Sequence, residues 1–308
     1  MTIPNRARPY GVPRRQFLQA AAAPLVFCGS TIARQGPVVP AASCVLWQLP
    51  SQTPIQHMSY VLQTGTGQLI VIDGGNSGDA SYLRGFVGAL GNHVHHWFIS
   101  HAHDDHVNAL IAILENPGRM AIDKIYGSLP AEDWIGRHEV GEQKTIKALN
   151  EALKSSGRTC IELTKGQVLD VGGLRVEVLS VKNPQITRNA INNSSVVMRI
   201  LGHNKSILFT GDLGVEGGQL LMEGPYRAQL AANYVQMAHH GQRGVDEAFY
   251  QAVGARVCLW PTPRWLYEND SGGGKGSGPW ETLEVRKWMK KLQVETHYVS
   301  ADGLYRID

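Results

Sequence analysis

The sequence predicts a layered α/β fold with helices outside the sheets, on three observations. Short apolar strands alternate with helical repeats through both halves of the chain, and glycine-containing turns join strands into hairpins in each half. No linker divides the 308 residues into independent domains. With 43% hydrophobic residues, the chain can bury one large core or two modest ones.

The first segment reads as a targeting signal. Arg14 and Arg15 precede Gln16-Phe17-Leu18 and the uncharged run "FLQAAAAPLVFCG", which is shorter than the about 20 apolar residues that a bilayer span needs. The paired arginines resemble a twin-arginine export signal. Residues 1–33 are therefore expected to be cleaved after "STIA". That leaves residues 34–308 as a periplasmic or secreted protein with no membrane span of its own. A basic arm without targeting function is the plainer alternative, and a lipoprotein reading at Cys28 is disfavoured by bulky Phe27. The formal charge of +3 includes Arg6, Arg8, Arg14 and Arg15, so without them it becomes −1. The remainder thus has no overall basic pull toward nucleic acid or membrane. Cys44, Cys160 and Cys258 are odd in number and widely spaced, so they are read as small hydrophobes rather than a disulfide framework.

"SYVLQTGTGQLIVIDGG" reads as two strands around a Gly-Thr-Gly turn, and Leu83, Phe86, Val87 and Leu90 carry helical spacing in "DASYLRGFVGALG". "HHWFIS" is a short strand, and Val107, Leu110, Ile111 and Leu114 start a helix directly after a His/Asp cluster. The strand "AIDKIYGS" and the helix "EQKTIKALNEALKSSG" follow. In the second half, "GQVLDVGGLRVEVLSV" and "SSVVMRILGHNKSILFTGD" are hairpins. "GGQLLMEG" is helical, "YVQMAHHG" a strand, "EAFYQAVG" a helix, "RVCLWPT" a strand, and "WETLEVRKWMKKL" a helix. "HYVSADGLYRID" closes the chain as a final β unit, and "SGGGKGSG" reads as a flexible insertion.

The cluster "WFISHAHDDHVNAL" spells H-x-H-x-D-H: His101, His103, Asp105 and His106. His101 and His103 alternate on an extended segment, whereas Asp105 and His106 open a helix, so the motif offers two adjacent metal sites. An ordinary loop with an aspartate helix cap would explain one aspartate and no histidine. Two further strand ends complete the pattern, Asp212 in "SILFTGD" and His239-His240-Gly241 in "VQMAHHG".

In this order, all at strand ends, these motifs resemble those of the metallo-β-lactamase superfamily. The resemblance runs from about Ser59 to the C-terminus and includes "VIDGG" before the first helix. It implies a four-layered αβ/βα sandwich with a dinuclear site at one edge, between two sheets. His101 and His103 would bind the first metal, Asp105 and His106 the second, with Asp212 bridging. His240 would be the second metal's last ligand and His239 would touch substrate, although the sequence leaves open which of the pair ligates. The implied cofactors are two divalent ions, zinc first, with manganese and iron as alternatives.

Many members place another metal-binding histidine before the bridging aspartate. Here His203 lies in a hairpin turn expected at the far end of its strands, and "NAINNSSVVMRI" stands at the usual place. Those asparagines, with "FTGD", "HHG" and the closing "VSADGLYRI" as a last hairpin, look like the branch of the competence DNA-uptake protein ComEC. Bacterial choline-phosphate esterases lie near that branch. Asn192 or Asn193 is then expected near a thinner first metal site, unless both are ordinary turn residues.

The expected activity is hydrolysis of a phosphate ester or phosphodiester by a metal-bridging hydroxide. Asp105 would orient the nucleophile, and His239 or Asn193 would meet the developing charge. Lactone, β-lactam or carboxylic ester hydrolysis on the same site is the first alternative. A metal-bearing binding protein without turnover is the second. The expected partner is a small-molecule or phosphoester substrate, nucleic acid being unsupported by the net charge. Arg264, Trp265 and Tyr267 in "WPTPRWLYEND" could hold a phosphate or stack on a ring, or simply pack beside a turn.

Overall fold

A computed structural model describes residues 42–203 and 205–308, so the expected signal segment, residues 1–33, lies outside the described residues. The first half contains β1 (Cys44–Gln48), β2 (Ser59–Thr64), β3 (Leu69–Asp73), α1 (Ala80–Ala89), β4 (His93–Phe98), α2 (Asp104–Glu115), β5 (Ala121–Gly127), α3 (Glu132–His138), α4 (Gln143–Ser155) and β6 (Cys160–Glu162). The second half contains β7 (Val168–Val171), β8 (Leu174–Ser180), β9 (Val197–Gly202), β10 (Lys205–Phe209), α5 (Val215–Glu223), β11 (Tyr234–Gln236), α6 (Glu247–Val253), β12 (Val257–Trp260), α7 (Arg264–Tyr267), α8 (Thr282–Lys291) and β13 (Thr296–Val299). The short β14 (Tyr305–Ile307) closes the chain.

Two seven-stranded sheets result, in the orders β14-β1-β2-β3-β4-β5-β6 and β13-β12-β11-β10-β9-β8-β7. Each has antiparallel pairing at one side and parallel pairing at the other. β3 to β6 run parallel in the first sheet, and β10 to β13 in the second. Helices cover the parallel portions, as βα crossovers require.

Three apolar layers hold the sandwich together. Between the sheets, Leu46, Tyr60, Leu62, Ile70 and Phe98 of the first meet Val176, Met198, Ile200, Ile207 and Phe209 of the second. Outside the first sheet, Val71, Trp97 and Ile99 pack under Leu83, Val87, Leu110 and Leu149. Outside the second, Leu208, Val235, Cys258 and Trp260 pack under Leu221, Phe249, Val285 and Met289. β3 is buried along its whole length, as expected of a strand covered on both faces. The chain therefore has the four-layered αβ/βα arrangement that its sequence implies.

The terminal β unit departs from expectation. "VSADGLYRI" is no hairpin. β13 extends the second sheet beside β12, and the chain then crosses so that β14 pairs with β1 in the first. Ile307 thereby enters the core between the sheets, and the Tyr298 and Tyr305 rings pack 4.9 Å apart across the crossing. The three cysteines of the described residues are free, with Cys44 and Cys258 buried. Among the described residues no helix is long and apolar enough to cross a membrane.

One buried amide ties the sheets together. Gln48 on β1 donates from Nε2 to Trp260 O (3.2 Å) and Tyr298 O (3.1 Å) in the second sheet, and accepts from the Tyr60 hydroxyl at 3.0 Å. Replacing it by the near-isosteric leucine strands that hydroxyl and two carbonyls. Gln48→Leu is expected to lower stability by about 1–3 kcal/mol, read by urea unfolding at constant metal content. An unchanged unfolding midpoint would show that this bridge contributes nothing.

Candidate metal centre

The chemistry-bearing side chains gather beyond the carboxyl ends of the parallel strands, where open α/β sheets leave a crevice. β3 ends at Asp73. β4 leads into Ser100 and His101, β10 into Thr210-Gly211-Asp212, and β11 into His239-His240. Gly211 has φ +54°, and a Cβ there would come within 2.9 Å of Ser100 Cβ, so only glycine lets the two turns approach so closely. The buried Gln236 side chain clamps this turn. Its Oε1 accepts from Thr210 N (2.8 Å) and its Nε2 donates to Gly211 O (3.0 Å) and Met237 O (2.7 Å).

His239, His240 and Gly241 take φ of 52°, 53° and 80°. Left-handed backbone costs a non-glycine residue about 1–2 kcal/mol, so two successive histidines there mark a turn imposed by its surroundings. The turn sends His240 into the centre and leaves His239 on the cavity wall.

An acceptor behind each central imidazole fixes which nitrogen faces inward. His106 donates Nδ1–H to Asp73 Oδ2 at 2.7 Å, and His240 donates Nδ1–H to Pro261 O at 2.8 Å. The Ser100 hydroxyl is spent on Asp73 (2.7 Å), so it accepts Nδ1–H from His101 at 2.9 Å. His103 donates Nε2–H to Glu139 at 3.2 Å. The free nitrogens are therefore Nε2 of His101, His106 and His240, and Nδ1 of His103.

These nitrogens face one another and two carboxylates. In one set, His106 Nε2 and His240 Nε2 lie 3.2 Å apart, and His240 Nε2 lies 2.9 Å from Asp105 Oδ2 and 3.2 Å from Asp212 Oδ2. His106 Nε2 is 3.3 Å from Asp212 Oδ1 and 3.7 Å from Asp105 Oδ1. A tetrahedral zinc with ligands at about 2.0–2.2 Å holds its donors about 3.3 Å apart, and this set of four matches that spacing. In the other set, His101 Nε2 is 3.1 Å from His103 Nδ1 and 3.9 Å from Asp212 Oδ2. Asp212 serves both sets, but the second set offers only three donors.

Lone pairs aimed at lone pairs need a cation between them, and the electrostatics report the same demand. Burial pushes the His240 imidazolium down, but Asp212 and Asp105 outweigh it and raise its pKa to about 10. His106 is raised likewise, burial being overcome by Asp212, Asp105 and Asp73. Burial would raise the Asp212 carboxyl, yet His240 and His106 hold it well below the usual range. His101 is pushed well down by burial and by neighbouring His106. The residues fit divalent metal.

The structure thus brings together His101, His103, Asp105, His106, Asp212 and His240. His239 lines the adjoining cavity with its Nδ1 unpartnered, and burial lowers its pKa. Of the two asparagines, Asn192 lines the cavity and has a buried Oδ1 without a partner. Asn193 turns away, accepting from Gly217 N at 2.8 Å and donating to Arg188 O and Glu216. The expectation that Asn193 meets developing charge is therefore corrected. Its side chain anchors the start of α5, because a 3-10 turn at Asn192–Ser194 points neighbouring side chains in different directions.

His203 lies beyond β9, at the end of the hairpin remote from Asp212, and Arg264, Trp265 and Tyr267 also fall elsewhere. Arg264 pairs with Asp302 and Glu268, Trp265 Nε1 donates to Pro54 O, and Tyr267 packs against Trp260 and Arg286. Sequence reasoning missed Asp73 and Glu139 as supports. "VIDGG" contained a signal for Asp73, whereas nothing in the sequence marked Glu139. A separate group, His93, His95 and Asp123, is half-buried to exposed. His95 Nδ1 there accepts from Leu69 N, which leaves its other nitrogen protonated.

Comparison with known proteins bears on the family and the fold. The model of the Metallo-beta-lactamase superfamily matches residues 52–240. The chain is 28% identical over 164 residues to ComE operon protein 3 of Bacillus subtilis (strain 168), covering 52% of this chain and 19% of that protein. It therefore spans about a fifth of that relative's length. Among solved structures it is similar to the metallo-beta-lactamase fold protein YhfI from Bacillus subtilis, with TM-score 0.52, 14% identity, and coverage of 86% of this chain and 100% of that one. It is also similar to unliganded yeast PDE1, with TM-score 0.50, 11% identity, and coverage of 84% and 97%. At these identities the structural likeness speaks for the fold alone.

Two consequences are measurable by calorimetric titration of zinc into metal-free protein. Four donors against three should give two unequal affinities, and equal ones would reveal a further ligand. Because Asp212 and Asp105 keep a proton on His240 up to about pH 10, an entering cation must displace it. Affinity should therefore rise with pH over roughly pH 6 to 9, by about tenfold per unit for each proton displaced. Titrations in buffers of different ionisation enthalpy should show the released proton, and no buffer dependence would contradict the assigned protonation.

Proposed function

The chain belongs to the metallo-beta-lactamase superfamily and is a metal-dependent hydrolase, and from that premise we propose that it is an exported enzyme with two zinc ions, cleaving a small phosphate ester or phosphodiester. The observation that carries the substrate class is the cavity over the metal centre. It measures about 240 Å³ and is lined by Gln56, His103, Asp104, Asp105, Glu142, Asn192, Asp212, His239 and His240, with Ile55 as its single apolar residue. Such a wall suits a compact polar ester head. Ile55 alone gives little apolar surface for the ring of a lactam or the acyl chain of a lactone. Asp104 and Glu142 at the same cavity add negative charge, which favours a small ester over a polyanion such as nucleic acid.

Divalent cations bound there supply Lewis acidity and lower the pKa of a bound water. The chain's own groups do the rest. Asp105 presents one oxygen to His240 and keeps the other 3.7 Å from His106, so it can orient an attacking water as well as hold metal. The His239 ring lines the cavity, burial lowers its pKa, and its Nδ1 has no protein partner, so as the Nδ1–H tautomer it would be the group to meet a developing oxyanion. The Asn192 carboxamide lies 3.5 Å from His239 Nε2 and steadies that ring.

A substrate panel tests the class. Metal-loaded protein is expected to hydrolyse bis-(p-nitrophenyl) phosphate and to leave nitrocefin and simple lactones intact. Asp212→Ala should lose metal together with at least about 10³-fold of the rate. Turnover of nitrocefin or lactone alone would reject the phosphoester reading, and no turnover at full metal occupancy would favour a binding protein.

Export is supported by Arg14-Arg15 ahead of Phe17-Leu18 and the short apolar run. Changing both arginines to lysine should leave precursor in the cytoplasm. Normal delivery of that variant to the periplasm would dismiss the twin-arginine route.

A further inference from the structure

The segment between β1 and β2 is a loop whose backbone is pinned from several sides. Asp79 accepts from Gln52 N at 2.5 Å, Trp265 Nε1 donates to Pro54 O at 2.8 Å, and Asn76 Nδ2 donates to Gln56 O at 2.6 Å. His57 donates Nε2–H to Leu49 O at 2.9 Å. Just past Gln56, Met58 N donates to Asp105 O at 3.2 Å, which fastens the loop to a metal ligand. Within this fixed frame the Gln56 side chain lines the metal cavity, and its Nε2 is buried without any partner.

Native folds seldom leave a buried amide donor unpaired, and when they do a ligand or water can complete it. The Asp105 and Asp212 oxygens face the imidazoles of His106 and His240 rather than Gln56. An acceptor brought into the cavity beside Gln56 would complete it. A neutral carboxamide is suited to this place, since a lysine or arginine would be repelled by the cations while an amide N–H attracts an oxyanion without opposing them.

We propose that Gln56 is a substrate-binding residue of this centre, donating its side-chain N–H to a non-bridging oxygen of the phosphoester. The inference rests on the phosphoester reading above. Beside the metal ligand Asp212, it joins Asn192 and His239 as a cavity-lining residue with an unpartnered polar atom. Gln56 is the one held on a pinned loop of the first sheet's half of the chain.

The test uses full-length, zinc-loaded protein and inorganic phosphate as the probe. Gln56→Leu keeps size and removes the donor, and Gln56→Glu puts an anion in its place. Phosphate affinity by calorimetry should weaken roughly tenfold to a hundredfold in the leucine variant and disappear in the glutamate variant, with kcat/KM for bis-(p-nitrophenyl) phosphate falling in parallel. Zinc stoichiometry should be unchanged, and the melting temperature of Gln56→Leu should hold or rise, because an unsatisfied buried donor has been removed. Unaltered phosphate affinity, or loss of zinc or stability in Gln56→Leu, would overturn the proposal and leave the phosphoester reading standing. If the unsubstituted protein neither binds phosphate nor cleaves the diester, the phosphoester reading itself fails and takes this contact with it.

Discussion

Everything at the centre depends on which nitrogen of each imidazole is turned inward, toward the metals. Asp73 does most of this, taking Nδ1–H of His106 directly and that of His101 through the Ser100 hydroxyl. Pro261 O and Glu139 do the same for His240 and His103. The result is four inward-facing nitrogens and two carboxylates within a few ångströms, most of them fully buried. Such a collection is unfavourable in a low-dielectric interior unless a cation neutralises it. Supports of this kind orient metal ligands and raise their basicity.

The sandwich makes that arrangement possible by bringing together strand ends that no single sheet could. Asp105 and His106 follow β4 in the first sheet, whereas Asp212 and His240 follow β10 and β11 in the second. The four-donor set therefore joins the two halves of the molecule, alongside the apolar layer between the sheets and the Gln48 amide. Gly211 permits the approach sterically, and the left-handed turn at His239-His240 aims one histidine at the metals while its neighbour walls the cavity. Backbone strain here serves the geometry of the site.

The other donor set is built differently. His101 and His103 come from one short loop and share only Asp212 with the second sheet. Asn192 lines the same cavity as His103 and has an unpartnered carbonyl oxygen. The site thus has three donors on one side and an additional neutral polar residue in the cavity wall.

The sequence alone determined the layered α/β class, most strands and helices, and the metal-binding motif, because each of these is written in local spacing. Period-two and helical repeats report burial directly, and H-x-H-x-D-H needs no partner from afar to be recognised. Four short elements escaped it, β1, β6, α3 and α7, since three to seven residues carry too little periodicity to stand out. The crossing of β14 to the other sheet was also hidden, because which edge a strand joins depends on the core it meets rather than on its own residues. Only the tertiary structure decided that His240 points inward, that Asn192 rather than Asn193 reaches the cavity, and that Asp73, Glu139 and Gln56 belong to the site. In each case the deciding quantity is a side-chain direction or a contact between residues distant in the chain, and neither is encoded in the spacing of neighbouring residues.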